Sequence, residues 1–256
     1  LVLVGNVPAS VTIRAPLYVS EADPATAAFS PISNVQSSFS SEGPTDVDFR
    51  VKPDLMAPGE NVISSVTGDC GAVGCWAVFS GTSMATPHLA GAAAVVRGAH
   101  PTWSAAQVRS AIVNTAAVGQ VTSFVDGSVV TDVNVVGAGL LDVSSAVSAA
   151  TGISPVSTSF GAVPAGSGQT RTATVTITNV TGSTKTWAVG IADTMGAGVS
   201  FSVNQSSVTL PAGASTSVTL TMVATKGAPK GDDQAWLTVK AGSTLLAHSA
   251  VYVLLK

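Results

Sequence analysis

Charge is what this sequence has least of. Only 10% of its residues are charged, against about a quarter in ordinary soluble domains. Eleven Lys and Arg stand against 14 Asp and Glu, a net charge of −3. No basic surface is available to neutralise a phosphate backbone, which excludes a nucleic-acid partner. An apolar share of 46% excludes a disordered chain, which needs low hydrophobicity and high net charge. Mean hydropathy is +0.46, yet no apolar run approaches the ~20 residues that cross a bilayer as a helix, so no membrane partner is expected. The longest candidate, Leu89 to Val96, is rich in Ala and Gly and ends at Arg97; it reads as a buried helix. The two cysteines, Cys70 and Cys75, match neither a Cys-x-x-Cys redox pair nor a four-ligand zinc cluster. Neither Met nor a charged leader precedes Leu1-Val2-Leu3-Val4, so the chain is expected to be a fragment or a processed product.

What is present falls into two grammars that change near residue 151. Before it, helical and strand patterns alternate, which argues for an α/β layer architecture. Met84 to Gly98 is apolar nearly all round, the mark of a helix buried in a larger core. Ser104-Ala105-Ala106-Gln107 is a capping box that opens a second helix to about Thr115. The β-branched run Val129 to Val136 predicts a strand. Gly137-Ala138-Gly139 then turns the chain into a short helix over about Asp142 to Ala149. After Thr151 the helical period disappears. Thr172–Thr178, Ser217–Met222 and Gln234–Val239 alternate apolar and polar residues, and turn clusters such as Pro211-Ala212-Gly213 separate such segments. About seven short antiparallel strands are expected there, paired as a sandwich.

The most informative stretch is Phe79-Ser80-Gly81-Thr82-Ser83-Met84-Ala85-Thr86-Pro87-His88-Leu89-Ala90-Gly91. Small residues form a turn at the mouth of an apolar helix. A Ser at a helix N-terminus sits where backbone N–H groups point outward and negative charge is favoured. That place suits an acyl-transfer nucleophile, because the developing oxyanion can accept from the N–H of the Ser itself. Pro87 is expected in the first turn, where its missing N–H costs nothing. An isolated Ser at such a place is usually only a helix cap.

The segment resembles the nucleophile signature of subtilisin-like serine peptidases, Gly-Thr-Ser-Met-Ala-x-Pro-His-x-Ala-Gly, at every fixed position. It departs from the Gly-x-Ser-x-Gly elbow of α/β-hydrolases because Ala85 stands at the second Gly. Phe39 to Thr45, Lys52 to Gly59 with Ile63, Pro101, Arg109 and Gly137 to Asp142 extend the likeness, so residues 39–152 resemble the C-terminal part of the catalytic domain. Residues 153–256, with Phe160-Gly161-Ala162-Val163-Pro164-Ala165-Gly166, resemble the fibronectin-III-like or Ig-like sandwiches that follow many large secreted subtilases. Residues 1–38 read as the tail of a protease-associated insert or as substrate-side strands. Asn6 is accordingly either the family's side-chain oxyanion donor or a turn residue of that insert.

By this resemblance Ser83 is the catalytic nucleophile of a secreted serine endopeptidase acting on polypeptide substrates; no residue of the sequence is assigned to a cofactor or a metal. The His of the Pro87-His88 pair is structural in the family; His100 and His248 read as ordinary polar residues. The family's catalytic Asp and His precede the Ser, and no segment here resembles theirs. Asp126-Gly127 lies after the nucleophile, and Asp46 with Asp48 reads as a solvated loop rather than a calcium site. The expectation is a catalytically incomplete chain whose partner is an upstream segment of the same protein. Secretion, implied by the family, favours a Cys70–Cys75 disulfide over two thiols. Asn179-Val180-Thr181 and Asn204-Gln205-Ser206 fit the glycosylation pattern. The alternative is a non-catalytic binding or structural product that retains the sandwich as its working part.

Overall fold

The computed structural model describes residues 34–68 and 75–256, and of residues 193 and 194 the backbone only. Asn6 and Cys70 lie outside the described residues. The described chain is mostly β-sheet, with its helices gathered before residue 148. An antiparallel pair, β1 (Val62–Ser65) and β2 (Trp76–Phe79), comes first and is joined in register from Val62↔Phe79 to Ser65↔Trp76. Four helices follow: α1 (Thr82–Ala99), α2 (Ala105–Asn114), α3 (Val133–Val136) and α4 (Val143–Val147).

The caps explain where these helices start. Ser104 accepts the Gln107 amide at 3.2 Å, and Gln107 Oε1 accepts the Ser104 amide at 2.7 Å. This completes the predicted capping box and satisfies two orphan donors of α2. Asp142 caps α4 by accepting the Ser145 amide at 2.9 Å. Asp132 does the same for α3, accepting the Asn134 amide at 2.8 Å. That cap corrects the strand expected over Val129–Val136. Val129 forms only a bridge to Thr122, and Val133 to Val136 coil into one turn because the cap and the burial of Val133 and Val136 outweigh β-propensity.

Nine strands fill residues 151 to 255: β3 (Thr151–Ser154), β4 (Ser157–Val163), β5 (Thr170–Asn179), β6 (Lys185–Met195), β7 (Val199–Val203), β8 (Ser207–Leu210), β9 (Ser215–Ala224), β10 (Gly231–Ala241) and β11 (Thr244–Leu255). They form a five-stranded sheet, β4-β11-β10-β6-β8, and a four-stranded sheet, β3-β5-β9-β7. The three alternating segments lie in β5, β9 and β10. The count exceeds the seven expected, and the pairing is not wholly antiparallel, because β4 runs parallel to β11. The chain passes from one sheet to the other between β3 and β4, so β4 arrives beside the last strand in the same direction. Val175, Ile177, Trp187, Leu220, Met222, Leu237 and Val251 fill the space between the sheets.

β10 and β11 are buried on both faces, which is why their burial runs unbroken from Asp233 to Val239 and from Ala247 to Val253. Their outer face carries Trp236, Ala250 and Tyr252, which pack against Val51 and Val133. A separate core of Leu55, Ala92, Val96, Val108, Ile112, Ala138 and Ala146 holds the helices together. Polar side chains stitch the layers. Asn114, fully buried, donates to the carbonyls of Val156 and His248, each at 2.8 Å, and accepts from the Ser110 hydroxyl at 2.8 Å. Gln234 of β10 accepts the Val133 amide at 2.9 Å and donates to Asp132 at 2.6 Å.

α1 is less enclosed than its composition implies. Only Ala92 and Val96 are buried, and Val95 is 53% exposed. Beside it, β1 and β2 present Ile63, Trp76, Val78 and Phe79 to the outside, with Trp76 64% exposed. Of the two glycosylation-pattern asparagines, Asn179 is excluded as an acceptor: it is fully buried and its amide donates to Ser183, Leu210 and Pro211 carbonyls.

Candidate active site

The site is assembled at the junction of β2 and α1. β2 runs into Ser80 and Gly81, and α1 begins at Thr82, which places Ser83 second in the helix and exposed. The Gly81 carbonyl accepts the Met84 amide at 2.9 Å and the Ala85 amide at 3.4 Å. No side chain caps this end. Among the described residues the Thr82 and Ser83 amides therefore have no acceptor, and they stand with the positive end of an 18-residue helix behind them. An anion that forms beside Ser83 Oγ meets preoriented N–H donors there.

Close backbone packing fixes this turn. The Gly81 amide donates to the Gly59 carbonyl at 2.7 Å, and the Asn61 amide donates to Ser80 Oγ at 2.9 Å. A Cβ on Gly59 would lie 2.9 Å from the Gly81 oxygen and 3.2 Å from Ala85 Cβ. The glycine of Ala57-Pro58-Gly59 is needed because the two backbones touch. Upstream of it, Met56 is held on both sides: its amide donates to Gly139 and its carbonyl accepts from Leu141, each at 2.8 Å. Burial pushes the Asp54 pKa up, but bonds from Arg109 at 2.8 Å and Lys52 at 2.9 Å outweigh it and hold the carboxyl below its usual range.

Pro87 is not in the first turn. It is the sixth residue of α1, so the helix loses the bond that its N–H would give the Ser83 carbonyl. Thr86 Oγ1 donates to the Thr82 carbonyl at 3.0 Å. His88 turns back along the helix, and its Nδ1 donates to the Met84 carbonyl at 2.9 Å. His100 lies elsewhere, stacked on Trp103 at 3.7 Å with its Nε2 donating to Val147 at 2.7 Å. His248 is buried in β11 with its Nε2 2.8 Å from the Ala138 carbonyl. The three imidazoles are thus committed to main-chain carbonyls. Among the described residues no side chain hydrogen-bonds the Ser83 hydroxyl.

The acidic pair sits apart from this junction. Arg50 Nε meets Asp48 at 2.6 Å, and Thr45 also bonds the same carboxylate. Among the described residues no group of three His, Cys, Asp or Glu is placed to hold a metal. Cys75, just before β2, is a partnered cysteine rather than a thiol available for chemistry. A groove of about 520 Å³ runs between α1 and α2, lined by Leu89, Ala93, Val108, Ile112 and the side chains of Arg97 and Arg109. The motif around Ser83 pointed to the junction, whereas the Gly59 contact and the His248 bond had no local signal, since each depends on residues distant in the chain.

The chain matches the model of the Subtilase family over residues 5–139. It is 34% identical over 221 residues to the minor extracellular protease Vpr of Bacillus subtilis (strain 168), covering 85% of this chain and 27% of that protein. It is 42% identical over 93 residues to the subtilisin-like protease SBT1.7 of Arabidopsis thaliana, covering 33% of this chain and 12% of that protein. The chain thus spans about a quarter of the bacterial relative and about an eighth of the plant one. Among solved structures, a PapD-like domain of human CEP192 aligns with a TM-score of 0.34 and 16% identity, over 42% of this chain and 86% of that one.

Proposed function

This chain belongs to the subtilase family, and from that premise we propose that it is the nucleophile-bearing portion of a secreted serine endopeptidase. The observation that carries the reading is Ser83, exposed at the uncapped N-terminus of α1 within the family's nucleophile signature. Ser83 Oγ attacks the scissile carbonyl of a polypeptide, and the Ser83 N–H donates to the oxyanion that forms. The proton leaves Oγ for an imidazole that an upstream segment of the same protein supplies, along with its orienting Asp. That imidazole then protonates the leaving amine, and water releases the acyl group from Ser83.

In this reading residues 39–152 complete a subtilisin-like α/β catalytic domain with that upstream segment, and residues 153–256 are a fibronectin-III-like sandwich. The exposed faces of β1, β2 and α1 are where the upstream segment packs. Cys70 and Cys75 pair with one another, close the loop before β2, and yield no alkylatable thiol before reduction. The extracellular Bacillus relative supports secretion. The experiment is hydrolysis of an unfolded polypeptide by the longer protein and by its Ser83→Ala variant. Activity in the first and none in the second is expected. No hydrolysis by either would favour a binding or structural role for the sandwich.

A further inference from the structure

One buried group has no part in this chemistry, yet it touches the scaffold that holds it. His248 belongs to the sandwich, lies 3% exposed, and meets Trp236 edge-on at 4.9 Å. Its Nε2 approaches the Ala138 carbonyl, which can only accept, so Nε2 carries the proton. Burial pushes the imidazole pKa down, against the pull of that bond, and keeps the ring a neutral donor.

Ala138 is itself tightly held. Its amide donates to the Asp54 carbonyl at 2.9 Å. On one side, a Cβ on Gly137 would lie 2.3 Å from the Pro53 oxygen; on the other, a Cβ on Gly139 would lie 2.4 Å from the Ala117 oxygen. The turn therefore cannot slide without moving residues 53–56. Met56, bonded to Gly139 and Leu141, leads through Ala57 and Pro58 to Gly59, whose carbonyl accepts the Gly81 amide. Pro58 fixes its own φ and restricts Ala57, so little slack remains between Met56 and Gly59.

We propose that His248 is a positioning residue for the Ser83 turn: the sandwich holds Ala138, Ala138 holds the 54–56 segment, and that segment sets Gly59 against Gly81. The proposal rests on Ser83 as nucleophile for its functional meaning, and on the bonds above for its mechanics. It makes the sandwich part of the framework of the site rather than an appended module.

The test is amide hydrogen exchange in the intact chain, with the Val218 and Leu220 amides of β9 as internal reference. His248→Leu removes the donor; His248→Gln keeps a side-chain N–H able to reach Ala138. In His248→Leu the Gly81 and Met56 amides should exchange about tenfold faster relative to the reference, the effect of one lost buried hydrogen bond. In His248→Gln the wild-type ratio should return. If His248→Leu does not fold, His248→Asn, too short to reach Ala138, takes its place. An unchanged Gly81 ratio in the donor-less variant, or no recovery in His248→Gln, overturns the proposal. A second arm follows fluorophosphonate labelling of Ser83 in the longer protein, where slowing in His248→Leu and recovery in His248→Gln are expected. Failure of the wild-type protein to label would count against the nucleophile reading alone, because the exchange comparison does not depend on it.

Discussion

Replacing Asn114 by Ala tests whether the helical layer and the sandwich melt as one body. Asn114 is fully buried, and its amide group makes three hydrogen bonds: from Ser110, to Val156 and to the main chain of His248. Val156 retains a second donor in Ser249 Oγ at 2.9 Å, so the substitution leaves the His248 carbonyl and the Ser110 hydroxyl less well satisfied. At ~1 kcal/mol for each bond, the loss is ~3 kcal/mol. A domain of this size loses roughly 2–4 °C of Tm per kcal/mol, so the transition should fall by roughly 6–12 °C. Differential scanning calorimetry of both proteins reads the effect. One transition, lowered as a whole, is expected, because polar bonds and the Trp236–Tyr252 face join the layers. Two resolved transitions in the wild type, with only the earlier one moved by the substitution, would refute the reasoning and make the sandwich an independent domain.

Two further outcomes follow from buried groups. Asp233 is 2% exposed and its Oδ1 lacks a hydrogen-bond partner among the described residues; burial, with the neighbouring Asp232 charge, raises its pKa from 3.8 to about 6. The folded state therefore binds the proton more tightly than the unfolded state, and stability falls as pH rises from about 4 to about 6, by ~3 kcal/mol at most. Asp233→Asn should raise Tm at pH 8 and leave it nearly unchanged at pH 4; an equal gain at both values would contradict the assignment. Gly137→Ala places a Cβ 2.3 Å from the Pro53 oxygen at φ +59°. Urea unfolding should show a loss of more than ~2 kcal/mol, and a midpoint equal to wild type would show that the 53–56 segment can yield.

What could be read in the sequence was what local chemistry decides. The Ser104–Gln107 box gave the start of α2, the alternation in Thr172–Thr178 gave β5, and the apolar run after Met84 gave the helix α1, at whose start Ser83 stands. Tertiary context decided the rest. Val133 to Val136 has strand propensity, but Asp132 caps it and Gln234, about a hundred residues later, takes the Val133 amide. The parallel pairing of β4 with β11 follows from where the chain leaves the helical layer, which no period in β4 encodes. β10 and β11 are covered on both sides, so their outer face could not be told from their inner one. His248 lay in an ordinary strand pattern, and its bond spans 110 residues.

Reaction of Ser83 with a serine-directed fluorophosphonate, followed by mass spectrometry of the labelled peptide, tests the central claim most directly. Ser83 has its helix-end donors but, among the described residues, no base. The 256-residue chain alone should therefore remain unlabelled over a time in which the longer protein labels stoichiometrically at Ser83, and Ser83→Ala should not label in either form. Label on any other residue of the longer protein, or rapid stoichiometric labelling of the chain alone, would contradict the account.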